Sequence, residues 1–196
     1  MTETAAVQPS FEIRRVAIIG AGVAGRSFAL ACARAGFHVV VEDVMPANLR
    51  KAEADYVDLS RRGTAGQLEL ALTVEDAVRE ADVAVDFVPD ELESKLEIFS
   101  MIDRMAPPRT ILCTPSFALS ITDLASCVYR PDRCVAVRGN LVRGDAAVPP
   151  AVRLLYPAAA AESTLAAVDK FLQALGVEVQ RETDPEVPLL MKNLLE

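Results

Sequence analysis

The residues of this sequence best suited to binding chemistry are three glycines in the run VAIIGAGVAGRSFALACARAG. Gly20, Gly22 and Gly25 have the spacing GxGxxG, directly after an apolar segment and directly before a helical pattern. In a strand–turn–helix unit the first glycine permits a tight turn, the second lets the backbone approach a pyrophosphate, and the third allows close helix packing. The helix start at Val23 and Ala24 would then offer unpaired N–H groups to the phosphates. The spacing therefore predicts a dinucleotide site.

An acidic residue stands where such a site needs one. Asp43 follows Gly20 by 23 residues and ends the apolar segment HVVVEDV, a position at which a carboxylate accepts hydrogen bonds from an adenosine ribose. With Glu42 beside it, a 2′-phosphate would meet negative charge, so the pattern favours NAD over NADP as the cofactor. The alternative is an ordinary glycine turn followed by a solvated, acidic strand end.

Composition excludes several other functions. A net charge of −8 disfavours nucleic acid and acidic membranes as partners, and no apolar run approaches the roughly 18 residues of a membrane span. The four cysteines include no CxxC pair, and the sequence has one histidine, so we predict no metal site. The first ten residues carry no secretory pattern, which makes a cytoplasmic location the expectation.

Strands and helices alternate along the chain, which predicts an α/β fold. The expected architecture is Rossmann-like and doubly wound: a mainly parallel sheet of about eight strands with helices on both faces. The eight predicted strands cover residues 16–19, 39–42, 68–72, 83–88, 111–113, 134–138, 152–156 and 177–180.

Three segments make up the expected domain organisation. Residues 1–12 form a flexible N-terminal arm, residues 13–183 the nucleotide-binding domain, and residues 184–196 a short C-terminal helix. The helix carries Leu189 and Leu190 on an apolar face that nothing later in the sequence covers. Exposed apolar patches usually mark contacts, so we expect a homodimer.

Four further segments accompany the glycine loop in an order and spacing that resemble the NAD-binding domain of the 3-hydroxyacyl-CoA dehydrogenases. They read DFVPDELESKLEIFSMID, APPRTILCTPSFALSITDLA, RPDRCVAVRGN and FLQALGVEVQRETDPEVPLLMKNLL. The resemblance implies cofactor contacts from the VPD segment, Val88, Pro89 and Asp90, with Asp90 at the position of a cofactor-contacting glutamate. It also places Lys95 at the position of the family's lysine and Pro115 at that of its asparagine.

The catalytic half of the resemblance is altered. Phe117 stands where the family has a substrate-contacting serine, and Arg138 stands where it has the catalytic histidine. The glutamate that orients the histidine falls near Tyr156. The sequence also stops where the family's helical C-terminal domain begins, so that residues 184–196 resemble a remnant of that dimerisation domain.

An arginine cannot replace the histidine as a base. Dehydrogenation removes a proton from the substrate hydroxyl and needs a group that titrates near neutral pH, whereas a guanidinium stays charged. Arg138 can instead bind or polarise an acidic substrate or a CoA phosphate, together with Arg143 and Arg153, or it is a solvated strand-end residue. Asn140 and Tyr156 complete the set of candidate catalytic residues.

Three functions remain open. The first is an NAD-dependent oxidoreductase of fatty acid metabolism that acts on a 3-hydroxyacyl thioester, such as an acyl-CoA, or on a related hydroxy acid. The second is a non-catalytic NAD(H)-binding sensor or partner subunit that keeps the fold without the catalytic residues. The third is that the sequence is a piece of a longer chain.

Overall fold

In the described part of the chain, an eight-stranded sheet carries helices packed on its two faces. We describe a computed structural model of the chain over residues 11–63, 65–142 and 149–184. The strands are β1 (Arg15–Ile19), β2 (His38–Glu42), β3 (Leu68–Ala71), β4 (Val83–Asp86), β5 (Ile111–Pro115), β6 (Cys134–Gly139), β7 (Ala151–Tyr156) and β8 (Glu178–Thr183). The helices are α1 (Val23–Arg34), α2 (Pro46–Arg61), α3 (Val74–Val78), α4 (Leu92–Met105), α5 (Ile121–Ala125) and α6 (Glu162–Ala174). A 3₁₀ turn, Pro131–Arg133, precedes β6.

The strand order is β3-β2-β1-β4-β5-β6-β7-β8. Strands β1 to β6 are parallel, β7 runs antiparallel to β6, and β8 is parallel to β7. The chain reverses its direction of winding between β1 and β4, and open α/β sheets bind ligands at such a point, outside the carboxyl ends of the strands. The carboxyl ends of β1, β4, β5 and β6 are therefore where the site is expected.

The buried strands contribute to two cores because alternate side chains point to opposite faces of the sheet. Val16 and Ile18 of β1 enter the core beneath α1, α2 and α6, which also contains Phe28 and Phe171. Ala17 and Ile19 enter the other core, beneath α3, α4 and α5. Burial on both faces explains why these strands read as short apolar runs instead of alternating patterns.

The predicted architecture is confirmed, with strand bounds that differ by a few residues at their ends. The predicted arm and C-terminal helix lie almost entirely outside the described residues. Within the described ranges, no helix has the length and apolar character to cross a bilayer, and no group of three or more His, Cys, Asp or Glu side chains could hold a metal ion.

Candidate functional site

The glycine loop lies between β1 and α1, and two of its glycines are required by the packing around them. Gly20 has a φ of +98°, which L side chains rarely adopt, and its N–H donates to the Glu42 carbonyl at 2.8 Å. A Cβ atom on Gly25 would lie 1.9 Å from the Gly20 carbonyl oxygen. The loop therefore folds tightly against the next strand only with glycine at both positions.

Gly22, in contrast, is not required by the packing of the protein itself. A Cβ atom there would meet nothing within 4 Å, so the space above this residue is open. Gly22 is also the N-cap of α1, and no side chain caps the helix, whose first turn begins with Val23 and Ala24. The first N–H groups of a helix have no intrahelical partner and attract anions. Open space and uncapped donors together fit a pyrophosphate.

Asp43 is held at the edge of this loop by three hydrogen bonds. Its carboxylate accepts from the Ala21 N–H at 2.7 Å, from the Met45 N–H at 2.7 Å and from Asn48 Nδ2 at 3.1 Å. An ionised carboxylate has about four acceptor positions, so one remains for a ribose hydroxyl. Asn48 was missed by sequence reasoning, although its place in the first turn after the acidic residue is a usable signal.

The two acidic residues at the end of β2 have different environments. Glu42 is 5% exposed, and burial, together with the neighbouring charge of Asp43, raises the pKa of its carboxyl. Asp43 is the more exposed of the two. Repulsion of a 2′-phosphate therefore falls mainly to Asp43, and not to both residues as the sequence suggests.

A cleft of about 590 Å³ opens beside the glycine loop at the carboxyl ends of β4, β5 and β6. It brings together five of the predicted site residues: Ala24, Val88, Asp90, Pro115 and Asn140. Pro89 lies on the exposed turn between Val88 and Asp90. The other lining residues are Ser27, Phe28, Phe87, Phe117, Gly139, Leu141 and Val142. Most of this apolar lining was not predicted, because its residues resemble ordinary core positions in the sequence.

Lys95 lies beneath the cleft instead of on its surface. The ammonium group donates to Asp86 Oδ1 at 2.7 Å and to the Pro115 carbonyl at 3.4 Å, and both charged side chains are at most 1% exposed. Burial raises the pKa of Asp86, and the adjacent Lys95 opposes that shift. Lys95 thus joins the ends of β4 and β5, and it is not among the described residues that line the cleft, so its predicted cofactor contact stays a prediction.

Arg138 lies one residue before the end of β6, close to its predicted place, and its side chain already donates to two backbone carbonyls. Its Nε donates to the Ser116 carbonyl at 3.2 Å and its Nη2 to the Leu119 carbonyl at 3.0 Å. Arg153, its cross-strand partner, pairs with Glu182 at 3.3 Å. Arg143 lies outside the described residues. The described contacts therefore do not support a cationic site built around Arg138.

The other two candidate catalytic residues, Asn140 after β6 and Tyr156 at the end of β7, lie at opposite ends of two neighbouring strands. Asn140 reaches the cleft, and its side-chain oxygen accepts the Val142 N–H at 3.1 Å. Tyr156 does not reach it: β7 is antiparallel to β6, and its end lies one register step beyond the Leu155–Ala136 pair, near the start of β6. The structure does not bring Tyr156 to Arg138, whose partner across the sheet is Arg153.

Comparison with known proteins matches this geometry to a family. The family model described as "3-hydroxyacyl-CoA dehydrogenase, NAD binding domain" matches residues 15–179. The chain belongs to this family. Its cofactor is NAD, which the open glycine loop, the uncapped start of α1 and Asp43 fit.

Curated relatives of this family extend beyond the chain. A probable 3-hydroxybutyryl-CoA dehydrogenase of Bacillus subtilis is 30% identical over 64% of this chain and 48% of its own length. An L-carnitine dehydrogenase of Streptomyces coelicolor is 28% identical over 94% of this chain and 59% of its own length. The chain thus spans about half the length of the curated relatives it matches.

Solved structures share the fold. The 3-hydroxyacyl-CoA dehydrogenase of Archaeoglobus fulgidus is 27% identical, with a TM-score of 0.72 over 93% of this chain and 60% of that chain. A diketoreductase is 22% identical, with a TM-score of 0.75 over 94% of this chain and 69% of that chain. At that identity the diketoreductase supports the fold alone.

Proposed function

We propose that the protein is an NAD-dependent oxidoreductase that acts on the hydroxyl group of a 3-hydroxyacyl thioester or a related hydroxy acid, in fatty acid metabolism. The observation that carries the proposal is the junction of the glycine loop, the Asp43 carboxylate and the apolar cleft at one edge of the sheet. The names of the relatives, 3-hydroxybutyryl-CoA and L-carnitine dehydrogenases among them, support the substrate class.

Each part of the site has a task in this proposal. The N–H groups at the start of α1 bind the pyrophosphate, and Asp43 accepts a hydrogen bond from the adenosine ribose. When bound, NAD supplies the hydride acceptor. Asp90 is the one titratable side chain among the described residues of the cleft, and we assign the proton of the substrate hydroxyl to its carboxylate, a weaker base than the histidine that the resemblance leads one to expect. Arg138 has no part in the proton transfer because a guanidinium cannot act as a base.

Calorimetric titration with NADH and NADPH tests the cofactor half. A phosphate within a few ångströms of Asp43 costs on the order of 1–4 kcal/mol, so NADH should bind at least about fivefold more tightly than NADPH. Gly22→Val should abolish the binding of both nucleotides and leave thermal stability unchanged, because the added side chain fills open space. Gly63→Val is the matched control, since a Cβ atom there also meets nothing within 4 Å. Equal or tighter binding of NADPH would contradict the role of Asp43.

Turnover tests the catalytic half. The full chain with NAD should reduce the cofactor when supplied with 3-hydroxyacyl-CoA esters, and Asp90→Asn should lower that rate at least about a hundredfold, the typical contribution of a positioned base. NADH affinity should stay within a few-fold because asparagine keeps an oxygen for the Phe117 N–H. Full activity of Asp90→Asn would refute the assignment of the base.

A second candidate function is a non-catalytic NAD(H)-binding subunit. One observation favours it: none of the described side chains that line the cleft is a histidine, lysine, cysteine or tyrosine, and Arg138 is bound to backbone carbonyls. NADH binding without turnover of any hydroxyacyl ester would select this second candidate.

The proposal includes a cytoplasmic homodimer. The apolar segment at residues 184–196 supports an association between copies, on the grounds of its sequence, although it lies outside the described residues apart from Asp184. Light scattering at micromolar concentration should give twice the monomer mass. A strictly monomeric species would rule out the dimer, and a tagged protein that leaves the cytoplasm would rule out the location.

A further inference from the structure

The loop at residues 116–119, between β5 and α5, is held from both sides of the cleft. Arg138 donates from two nitrogens to the carbonyls of Ser116 and Leu119. Asp90, from the segment after β4, accepts the Phe117 N–H at 3.0 Å. The ends of three neighbouring strands are thereby joined through this one loop.

The tethered loop presents an exposed aromatic ring. Phe117 is 76% exposed although it lines the cleft, while Ser116 before it is 1% exposed. A large apolar side chain with this exposure on a fixed backbone gains free energy when a ligand covers it.

The rest of the cleft has the same apolar character. Phe28, Phe87, Leu141 and Val142 line it, and among the described lining residues Asp90 carries the one charge. A carboxylate at the end of a substrate would be desolvated there and would face Asp90, whereas a methyl group would lose nothing.

We propose that Arg138 is a positioning residue, which together with Asp90 holds the loop so that Phe117 forms an apolar wall that selects substrates with an uncharged acyl chain over those ending in a carboxylate. The proposal rests on the proposed function for the class of substrate. Arg138 thus acts through the loop backbone: its fork of donors fits two carbonyls at once, which lysine cannot reproduce fully.

Two esters with a six-carbon chain test the selectivity: 3-hydroxyhexanoyl-CoA ends in a methyl group and 3-hydroxyadipyl-CoA in a carboxylate. Calorimetry with the NADH-loaded protein, which cannot oxidise these esters, should give at least about tenfold tighter binding of the hexanoyl ester, on the scale of one unpaired charge in an apolar site. Phe117→Ser should reduce the ratio of the two affinities at least about fivefold, because it removes roughly 1 kcal/mol or more of apolar contact.

Variants of Arg138 test the positioning role. Arg138→Met should reduce the affinity ratio as much as Phe117→Ser does, and Arg138→Lys should fall between it and the unaltered protein. Arg153→Met is the matched control, since this arginine lies opposite Arg138 in the sheet but pairs with Glu182. NADH affinity should be unchanged in the Arg153→Met control.

A second measurement follows the loop directly. The sequence contains no tryptophan, so Phe117→Trp introduces a single reporter into the cleft. The fluorescence anisotropy of that tryptophan should fall when Arg138→Met or Arg138→Lys is added and should not change with Arg153→Met.

The outcomes separate this proposal from the proposed function. Equal or tighter binding of the adipyl ester, or binding of neither ester, overturns the selectivity. An unchanged affinity ratio and unchanged anisotropy in the Arg138 variants overturn the positioning role. Absence of turnover with both esters refutes the proposed oxidoreductase alone, because the affinities and the anisotropy are measured without turnover.

Discussion

Replacement of Lys95 by methionine tests what the buried ion pair beneath the cleft contributes. The change keeps most of the apolar length of the side chain and removes the ammonium that donates to Asp86 at 2.7 Å. Asp86 is fully buried, and among the described residues its Oδ2 has no hydrogen-bond partner of normal geometry. Without Lys95 the carboxyl therefore loses the charged partner of its other oxygen.

The expected cost in the free energy of unfolding follows from this burial. Removal of one member of a buried ion pair typically costs about 3–5 kcal/mol, because it leaves an uncompensated charge in a low dielectric. The free energy of unfolding of an ordinary domain is about 5–15 kcal/mol in total, so the variant should still fold but should be markedly less stable. Arg79→Met, which removes an exposed partner of Asp76, should cost less than about 1 kcal/mol.

The cost should depend on pH in a defined direction. Burial already raises the pKa of Asp86 above its ordinary value of 3.8, and Lys95 is the largest influence that lowers it. Without Lys95 the pKa in the folded state rises further, so the folded variant binds more protons than the unfolded chain over a wider range above 3.8. Stability of the variant then falls as pH rises through that range, and its deficit is larger at neutral pH than at acid pH.

Urea unfolding at several pH values measures both quantities. The double variant Asp86→Asn with Lys95→Met should recover at least half of the loss, because no buried charge remains unpaired. NADH affinity of folded Lys95→Met should stay within about threefold, less than 1 kcal/mol, since the ammonium does not face the cleft. A cost below about 1 kcal/mol would refute the reasoning about burial, as would a deficit that grows toward acid pH.

Three further changes have defined outcomes. Glu42→Gln should raise stability at neutral pH and lose that advantage as pH falls. Burial raises the pKa of Glu42, so its charged form destabilises the fold above that pKa. Thermal melts across pH measure the difference in stability between the variant and the unaltered protein, and a difference that does not change with pH would contradict the prediction. Of the four thiols only Cys127 is exposed, so a thiol reagent should modify one group in the native protein and four after unfolding. Gly25→Ala should lower thermal stability and abolish NADH binding, because its Cβ would overlap the Gly20 carbonyl oxygen; a stable variant that binds NADH would show that the loop adapts.

Local patterns in the sequence were sufficient to predict the sheet, its helices and the cofactor loop. The spacing of Gly20, Gly22 and Gly25, and the distance to Asp43, reflect one strand–turn–helix–strand unit whose geometry depends on neighbours in the chain. The buried strands, such as β1, β4 and β6, could be predicted because burial on both faces leaves a continuous run of apolar residues, whereas β8 is mostly exposed. The hydroxyl of Ser120 caps α5 as part of the same local order.

Contacts between distant segments were decided only by the tertiary structure. Arg138 reaches carbonyls 19 and 22 residues away, and Asp90 reaches the Phe117 N–H across 27 residues. Lys95 is paired with Asp86 because β4 and α4 place both side chains in one buried layer. Tyr156 is separated from Arg138 because β7 runs antiparallel to β6. Strand direction and register determine which side chains meet, and both arise from packing over the whole sheet, which no local pattern records.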